Sequence, residues 1–156
     1  MIVLKKHDNF SKRIDKFLSK LSFKKATLCI IDIHNTMLSE NNIINKDIFS
    51  LIKRKKYNYF YCSYDGNDKR IIFNKNILNK NPILQSIPKI FTKKIGSKGI
   101  IVKIIYDYFE KNIGFDKRYK YNLIFIDDKR RNIQDVNKFK YKKKLFIKFK
   151  NNLKII

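Results

Sequence analysis

Three short apolar segments, each followed directly by a polar residue, constrain the fold of this chain more than any other feature. They span residues 27–31, 59–62 and 123–126. Each is too short for a helix and has the continuous hydrophobicity of a β-strand that is buried on both faces. A weaker strand candidate occupies residues 87–92, and a last strand is predicted over residues 145–149. The chain is therefore predicted to contain a sheet that is covered on both sides.

Segments with helical periodicity alternate with these strand candidates. Apolar residues from Phe10 to Leu21 recur every three or four positions, which predicts an N-terminal amphipathic helix over residues 8–22. Ser97 and Gly114 fit the N-cap and the stop of a second helix, and a short helix is predicted over residues 131–139. This alternation predicts an α/β fold: a Rossmann-like, open, mainly parallel sheet with helices on both faces.

Polar side chains collect where the predicted strands end. Asp32, Ser63 and Asp127 each follow a strand, and Asp128 comes next. Open parallel sheets bind ligands at the carboxyl ends of their strands, so these residues predict a functional site. Asp32 is the strongest candidate, because an acid that closes a buried strand is costly unless it is paired or bound to a metal.

The other candidates also have purely structural interpretations. Asp127 and Asp128 fit a turn that caps a helix, and Ser63 fits an ordinary turn. Lys98 at the predicted start of the second helix fits a solvated lysine, with Lys103 one helical turn later as the alternative functional lysine.

The length of 156 residues predicts a single domain, with the helix at 8–22 near one end and a basic, acid-free C-terminal tail at 137–156. Cys29 and Cys62 lie in apolar segments, so we expect neither a disulfide scaffold nor a zinc site. The sequence has neither the apolar length of a membrane span nor a signal-peptide core. We therefore expect an intracellular protein of a reducing compartment, in the cytoplasm or an organelle matrix, with no membrane partner.

Charge is the most unusual feature of the composition. The chain has 37 lysines and arginines against 13 aspartates and glutamates, a formal net charge of +24. A body this positive repels itself unless a polyanion neutralises it, and nucleic acid is the commonest such partner. We expect a nucleic acid, RNA or DNA with RNA as the first expectation, bound through its phosphates, and a lysine-rich solvated surface is the alternative. The candidate nucleic-acid-binding residues are Lys129, Arg130, Arg131, Lys142, Lys143 and Lys144.

The ordered set of polar residues resembles the phosphatases of the haloacid dehalogenase superfamily, in a form without a cap. These phosphatases have four motifs in fixed order: a strand ending in D-x-D-x-T, a strand ending in Ser or Thr, a lysine at a helix start, and a strand ending in D-D-x-x-x-N or similar. The resemblance spans residues 26–148. Here the motifs read Asp32-Ile33-His34-Asn35-Thr36, then Ser63, then Lys98, then Asp127-Asp128-Lys129-Arg130-Arg131-Asn132.

The resemblance implies that Asp32 is a nucleophile that forms an aspartyl-phosphate. It also implies a Mg²⁺ cofactor, bound by Asp32, by Asp127, by Asp128 through water and by the main-chain carbonyl of His34. A hard cation of this kind prefers the oxygen ligands that these residues offer.

The remaining motif residues are implied to handle the phosphate. Thr36 and Ser63 would donate hydrogen bonds to phosphoryl oxygens. Lys98 would place its charge against the phosphate and Asp32, and Asn132 would help to hold Lys98 in place.

One position departs from the family pattern, because His34 replaces the aspartate that acts as general acid and base. Histidine can do this work near neutral pH, so the substitution is compatible with activity. It is also compatible with a slow enzyme, with one that stalls as the aspartyl-phosphate, or with an inactive descendant that keeps the fold.

Two functions follow from these observations. Only 26 residues separate Thr36 from Ser63 and 34 separate Ser63 from Lys98, which leaves no room for a large cap. An uncapped, Mg²⁺-dependent phosphohydrolase that acts on nucleic-acid or other large phosphate esters is the first expectation. The alternative is a non-catalytic, RNA-binding structural protein of a ribonucleoprotein such as an organellar ribosome, which the charge and His34 favour.

Overall fold

The computed structural model of the protein describes residues 1–39, 41–64, 67–93, 97–149 and 153–155, with the main chain only for Tyr64 and for 153–155. Within these residues, seven strands form one sheet. The strands are β1 (Ile2–Leu4), β2 (Leu28–Ile31), β3 (Asn58–Tyr64), β4 (Lys89–Thr92), β5 (Leu123–Asp127), β6 (Lys144–Phe149) and β7 (Leu153–Ile155). The helices are α1 (Phe10–Ser19), α2 (Lys46–Lys53), α3 (Asp68–Leu78), α4 (Pro82–Gln85), α5 (Lys98–Asn112) and α6 (Arg130–Asn137).

The strand order in the sheet is β1-β4-β3-β2-β5-β6-β7. The first six strands are parallel and β7 is antiparallel to β6, which confirms the predicted open, mainly parallel sheet. From β2 the chain moves outward to β3 and β4, and it then returns to form β5 on the other side of β2. Such a reversal creates a crevice at the carboxyl ends of the two central strands, where ligands of open α/β sheets bind.

Helices cover both faces of the sheet, as predicted. One face packs against α1, α5 and α6, and the other packs against α2, α3 and α4. In β2, Leu28 and Ile30 point to the first layer, whereas Cys29 and Ile31 point to the second. All four side chains are fully buried, which explains why the sequence of this strand is continuously apolar.

Asparagine side chains start four of the helices. Asn9, Asn45, Asn67 and Asn81 accept hydrogen bonds from main-chain N–H groups in the first turns of α1, α2, α3 and α4. Ser97 does the same for α5, as predicted. Because each cap of this type contributes about 1 kcal/mol, the asparagine-rich composition is used to define helix ends.

Some boundaries differ from the predicted ones. The first helix is confined to α1 because Asn9 caps it, and Lys20 ends it by donating its N–H to the Phe17 carbonyl. The sequence pattern does not predict β1, since three residues carry no periodicity. Much of the segment at 137–156 belongs to the sheet as β6 and β7.

The space above the carboxyl edge of the sheet holds no separate domain among the described residues. The connection from β2 to β3 contains the eight-residue α2, and that from β3 to β4 contains α3 and the short α4. Cys29 and Cys62 are free and buried, as expected. None of the described helices is long and apolar enough to cross a membrane.

Candidate active site

Asp32 lies immediately after β2 and continues its ladder, because its N–H donates to the carbonyl of Ile126 in β5 at 2.9 Å. The chain then turns back sharply. Asn35 has a positive φ of 55°, a conformation that asparagine tolerates better than most residues. This turn brings Thr36 under the acid, where its hydroxyl donates to Asp32 Oδ2 at 3.3 Å. Asp32 is thus fixed in a buried position, 5% exposed.

Lys98 connects the two central strands. It is the first residue of α5, and its Nζ donates to Asp32 Oδ1 at 2.5 Å and to Asp127 Oδ2 at 2.8 Å. Lys98 is itself only 5% exposed. The alternative lysine, Lys103, instead pairs with Asp107 at 3.0 Å on the outside of α5. The structure therefore selects Lys98 as the lysine of the site.

Asp127 ends β5 and holds the turn that leads into α6. Its Oδ1 accepts the main-chain N–H of Lys129 at 2.9 Å, and Asn132 Nδ2 donates to both of its oxygens at 3.2 and 3.1 Å. Asp127 therefore stabilises the turn between β5 and α6 but does not cap the helix, because the N-cap residue is Lys129 and no side chain of the described residues accepts from the first turn of α6. Asn132 contacts Asp127 in this arrangement, so any effect of Asn132 on Lys98 passes through that carboxylate.

The start of α5 is held against α6 by Gly99 and Asp135. The Gly99 N–H, which has no partner within its own helix, donates to Asp135 Oδ2 at 3.0 Å. A Cβ atom at Gly99 would lie 2.5 Å from the main-chain oxygen of Asp135. Only glycine permits the two helices to come this close. Their contact fixes the position of the first turn of α5, and therefore of Lys98, relative to the carboxylates.

Asp128 completes a group of three carboxylates. Asp32, Asp127 and Asp128 offer oxygen atoms that all lie within 4.8 Å of one another. Asp128 Oδ1 is buried and accepts no hydrogen bond from the described residues. A buried carboxylate oxygen without a donor is costly, so this atom marks a position where a cation or a donor is required.

The protonation equilibria of the cluster reflect its shortage of positive charge. Burial raises the pKa of Asp32, and the neighbouring carboxylates raise it further despite the attraction of Lys98. Burial likewise raises the pKa of Asp128, with Asp127 contributing repulsion. For Lys98 burial lowers the pKa, but the attraction of Asp32 and Asp127 outweighs burial and raises it overall. Lys98 is therefore a charged ammonium among three acids.

These three carboxylates fit a metal ion. They supply only oxygen ligands, which hard divalent cations prefer. Cys62 lies close enough to interact electrostatically with Lys98 and Asp32, but burial raises the pKa of its thiol to about 12. The thiol stays protonated at neutral pH and does not offer the thiolate that zinc would favour.

Ser63 lies near the carboxyl end of β3, the strand beside β2. It is 1% exposed, and its hydroxyl has no hydrogen-bond partner within the described part of the chain. The register places Ile31 beside Tyr61, so Ser63 is one position beyond the level of Asp32. No contact joins Ser63 to Asp32, and the predicted contacts of Ser63, Thr36 and Asn132 with phosphate stay predictions.

The ring of His34 contacts helix α3. Its Nε2 is 2.9 Å from Arg70 Nε and 2.9 Å from Asn74 Nδ2 in α3. The Nε–H of Arg70 can only donate, so Nε2 is the acceptor in that hydrogen bond. The His34 carbonyl lies 3.4 Å from the Thr36 hydroxyl, close to Asp32.

An open cavity of about 380 Å³ adjoins His34. Its wall is rich in amide groups and includes one aromatic ring, Phe73, which is half exposed. The cavity lies between the turn after Asp32 and helix α3. Its lining residues are His34, Asn35, Ser39, Asn42, Arg70, Phe73 and Asn74.

The six predicted nucleic-acid-binding residues fall on opposite edges of the sheet. Lys129, Arg130 and Arg131 are exposed at the start of α6, on the same edge as Asp127. Lys142, Lys143 and Lys144 are exposed at the start of β6, on the other edge. The two clusters therefore do not form one surface.

Sequence reasoning missed the residues that position others. Arg70 and Asn74 are 36 and 40 positions away from the histidine that they contact, and no local motif connects them. Asp135 was visible only as the last acid of the chain. A scan against protein-family models and searches of curated proteins and of solved structures found no match to this chain.

Proposed function

We propose that the protein is a Mg²⁺-dependent phosphohydrolase of the haloacid dehalogenase type, with Asp32 as its nucleophile. The observation that carries this proposal is the buried bridge from Asp32 to Asp127 through Lys98, with Asp128 Oδ1 beside it, a buried oxygen that accepts no hydrogen bond from the described residues. Lys98 brings one positive charge to three neighbouring carboxylates, so a further cation would stabilise the cluster.

In the proposed reaction, a carboxylate oxygen of Asp32 attacks the phosphorus of a phosphate ester. The bond from phosphorus to the leaving oxygen breaks, and the leaving group departs with the electron pair. Water then attacks the aspartyl-phosphate at phosphorus, which releases inorganic phosphate and restores the carboxylate. Both steps gather negative charge on the phosphoryl oxygens, and Lys98 is held by Asp127 where it can neutralise that charge.

The acids and Ser63 complete this chemistry. Asp32, Asp127 and Asp128 would hold Mg²⁺, which supplies further positive charge beside the phosphoryl group when bound. The buried hydroxyl of Ser63, which has no partner in the described structure, is available to donate to a phosphoryl oxygen.

The state of His34 limits the leaving group. Because Nε2 is already engaged by Arg70 and Asn74, this nitrogen is not placed to protonate a departing alkoxide. Nε2 can accept a proton from water in the second step, once the side chains of Arg70 and Asn74 have moved away from it. We therefore propose a preference for esters whose leaving group departs unprotonated, such as aryl phosphates. The adjoining cavity of about 380 Å³ offers room for a leaving group of that size.

The test of catalysis compares an aryl phosphate with an alkyl phosphate in the presence of Mg²⁺. We expect turnover of the aryl ester only, and Asp32→Asn should reduce it to the uncatalysed background. His34→Asp should raise the rate on the alkyl ester by about 100-fold, the usual contribution of general acid catalysis, and change the aryl rate much less. Absence of turnover in both the wild type and His34→Asp would contradict the enzyme.

Metal binding is tested separately by thermal denaturation. Mg²⁺ at a hundred times its Kd should stabilise the protein by about 2.7 kcal/mol. Asp128→Asn should remove most of this stabilisation, whereas Asp107→Asn, on the exposed side of α5, should leave it unchanged. Equal stabilisation of all three proteins would show that Mg²⁺ binds elsewhere.

A non-catalytic, RNA-binding protein within a ribonucleoprotein is the second candidate. The net charge of +24 and the replacement of the usual acid by His34 favour it. This candidate predicts that neither the wild type nor His34→Asp hydrolyses any phosphate ester. Under it, Asp32, Lys98 and Asp127 serve only to join β2, β5 and α5.

A further inference from the structure

The amino edge of the sheet carries a concentration of positive charge that the linear sequence conceals. Four segments lead into the neighbouring strands β3, β2, β5 and β6, and parallel strands place all four segments at the same edge. They span residues 54–57, 20–27, 113–122 and 138–143. Together these segments contain thirteen lysines and arginines and one acid, Asp116. We call this surface the basic face.

Contacts between neighbouring segments show that they form one continuous surface. Lys24 Nζ donates to the carbonyl of Lys55, and the rings of Tyr57 and Tyr119 meet edge to face at 6.5 Å. On the other side, Lys143 Nζ donates to the carbonyl of Lys117 at 3.4 Å. These bonds end on neutral carbonyl groups, so they orient the ammonium groups without neutralising them.

The charge of the basic face is mostly uncompensated among the described residues. All thirteen cationic side chains are exposed. The ion pairs that involve them are Arg118 with Asp116 at 2.7 Å and Lys138 with Asp135 at 3.9 Å. A surface with so many exposed cations of one sign attracts polyanions and releases their counterions on binding.

The aromatic residues of the basic face indicate which polyanion fits. Tyr57, Tyr119, Tyr121 and Tyr141 are only partly exposed, and lysines lie over the rings of Tyr57 and Tyr121. The one large apolar side chain in these segments that is exposed is Leu21. Single-stranded nucleic acids are bound by exposed aromatic rings that stack on their bases, and this surface presents none. Lysine charges without stacking platforms fit the outer phosphates of a double helix.

The basic face is remote from the carboxylate cluster. Six residue steps that include β2 separate Ala26 from Asp32, which is about 20 Å of extended chain. We propose that this face binds the phosphate backbone of double-helical nucleic acid without regard to sequence, and that the bound duplex is not the substrate of the site around Asp32. This inference does not depend on the phosphohydrolase proposal.

The test measures the affinity for a short labelled RNA duplex by fluorescence anisotropy over a series of salt concentrations. The test variant replaces one lysine from each segment by glutamine: Lys25, Lys56, Lys120 and Lys142. The matched control loses the same number of charges from exposed lysines at the carboxyl-edge side of the sheet: Lys6, Lys12, Lys46 and Lys69.

We expect the logarithm of the wild-type affinity to fall linearly with the logarithm of the salt concentration. In the test variant this slope should shrink by up to about 0.9 for each phosphate contact removed, and in the control it should stay unchanged. A DNA duplex should behave similarly, since lysines act as point charges and do not read bases. Asp32→Asn should bind like the wild type.

Several outcomes would overturn the inference. Equal losses of slope in the test variant and the control would show that binding is spread over the whole surface. Tighter binding of a single strand than of the duplex would refute the fit to a double helix. Binding to vesicles that contain phosphatidylserine, or to polyglutamate, without binding to the duplex would assign the face to a membrane or an acidic protein.

Discussion

Lys98 is held by two acids, Asp32 and Asp127, which are 95 positions apart in the sequence. Removing the charge of Lys98 tests whether the carboxylate cluster depends on this lysine. Lys98→Met would leave Asp32 and Asp127 buried without their counter-ion. We expect a loss of about 3–5 kcal/mol in the free energy of unfolding at neutral pH, as for other broken buried pairs. The loss should diminish at acid pH, where the carboxylates take up protons. Urea denaturation at both pH values measures it.

Lys103→Met is the control for this change. Lys103 lies about one helical turn further along α5, and its ion pair with Asp107 is partly exposed, with side chains that are 28% and 56% exposed. Its replacement should cost less than about 1 kcal/mol and should show little pH dependence. Equal effects of the two substitutions would contradict the assigned role of Lys98.

Lys89, at the amino edge of the sheet, should make the stability of the protein depend on pH. Its Nζ is buried and donates to the carbonyls of Leu84, Gln85 and Ile87, and burial lowers its pKa to about 8, with repulsion from Lys75 adding to the effect. Between pH 8 and pH 10.5 the unfolded chain holds a proton on this amine that the folded protein lacks. Stability attributable to Lys89 should therefore rise with pH in this window.

This contribution of Lys89 is measured at each pH as the difference in unfolding free energy between the wild type and Lys89→Met. Taking the difference cancels the opposing contributions of buried thiols and tyrosines, which are the same in both proteins. The slope should approach but not exceed about 1.4 kcal/mol per pH unit, the limit for one proton. A difference that is flat from pH 8 to pH 10.5 would refute the lowered pKa.

At the level of single residues, the sequence predicted those that end buried strands. Asp32 and Asp127 could be identified because a continuous apolar segment precedes each acid, and the structure places both beside Lys98. The hydrogen bonds of His34 could not be predicted, because they depend on the angle at which α3 crosses the sheet. Local sequence carries no information about that angle.

At the level of secondary-structure elements, the junction of α5 and α6 controls the site. Gly99→Ala would place a methyl group 2.5 Å from the Asp135 carbonyl oxygen, so one helix must move. We expect a loss of about 1–3 kcal/mol, typical of overpacking, together with lower turnover because Lys98 moves with α5. Chemical denaturation and the aryl phosphate assay measure the two effects.

Two further variants separate packing from hydrogen bonding at this junction. Asp135→Ala removes the acceptor for the Gly99 N–H and should cost about 1 kcal/mol, as loss of a helix cap does. Ile100→Ala, at a partly exposed neighbouring position, should have a smaller effect than Gly99→Ala on turnover. If Gly99→Ala is as stable and active as the wild type, the two helices have more freedom than the structure shows.

The elements themselves were predicted unevenly, for a physical reason. The central strands are buried on both faces, so their sequences are continuously apolar and easily recognised. Helix α3 exposes Ile72 and Phe73 and buries Asn74, so its sequence lacks the usual alternation of faces. The edge strand β1 is too short for any pattern. Of the basic face, the sequence predicted Lys142 and Lys143 as binding residues, but it could not group them with the other segments, because those cations share a sheet edge and not a position in the chain.

At the level of the whole molecule, self-repulsion should make stability depend on salt. Raising the ionic strength from about 0.01 M to 0.15 M shortens the Debye length from about 30 Å to about 8 Å. Because the net charge is +24, this screening should raise the Tm by several degrees, where about 1 kcal/mol corresponds to 2–4 °C for a protein of this size. Thermal denaturation in sodium chloride measures the shift.

The four-lysine variant of the basic face is the comparison for this effect. It carries less concentrated charge, so its Tm should rise less with salt than that of the wild type. A Tm that falls as salt is added would mean that attractive ion pairs outweigh repulsion. The buried pairs of Lys98 are screened little by salt and should not contribute to either trend.

The position of the basic face at the amino edge has a consequence for how such a protein would work in a cell. A molecule attached to a duplex through that edge would present its carboxylate cluster outward, toward the solution. The duplex would then serve as an attachment site. The protein would be concentrated wherever the duplex is, and its carboxylate cluster would stay accessible. Substrates carried by neighbouring molecules on the same duplex would meet it at a high effective concentration, without any direct affinity between the two.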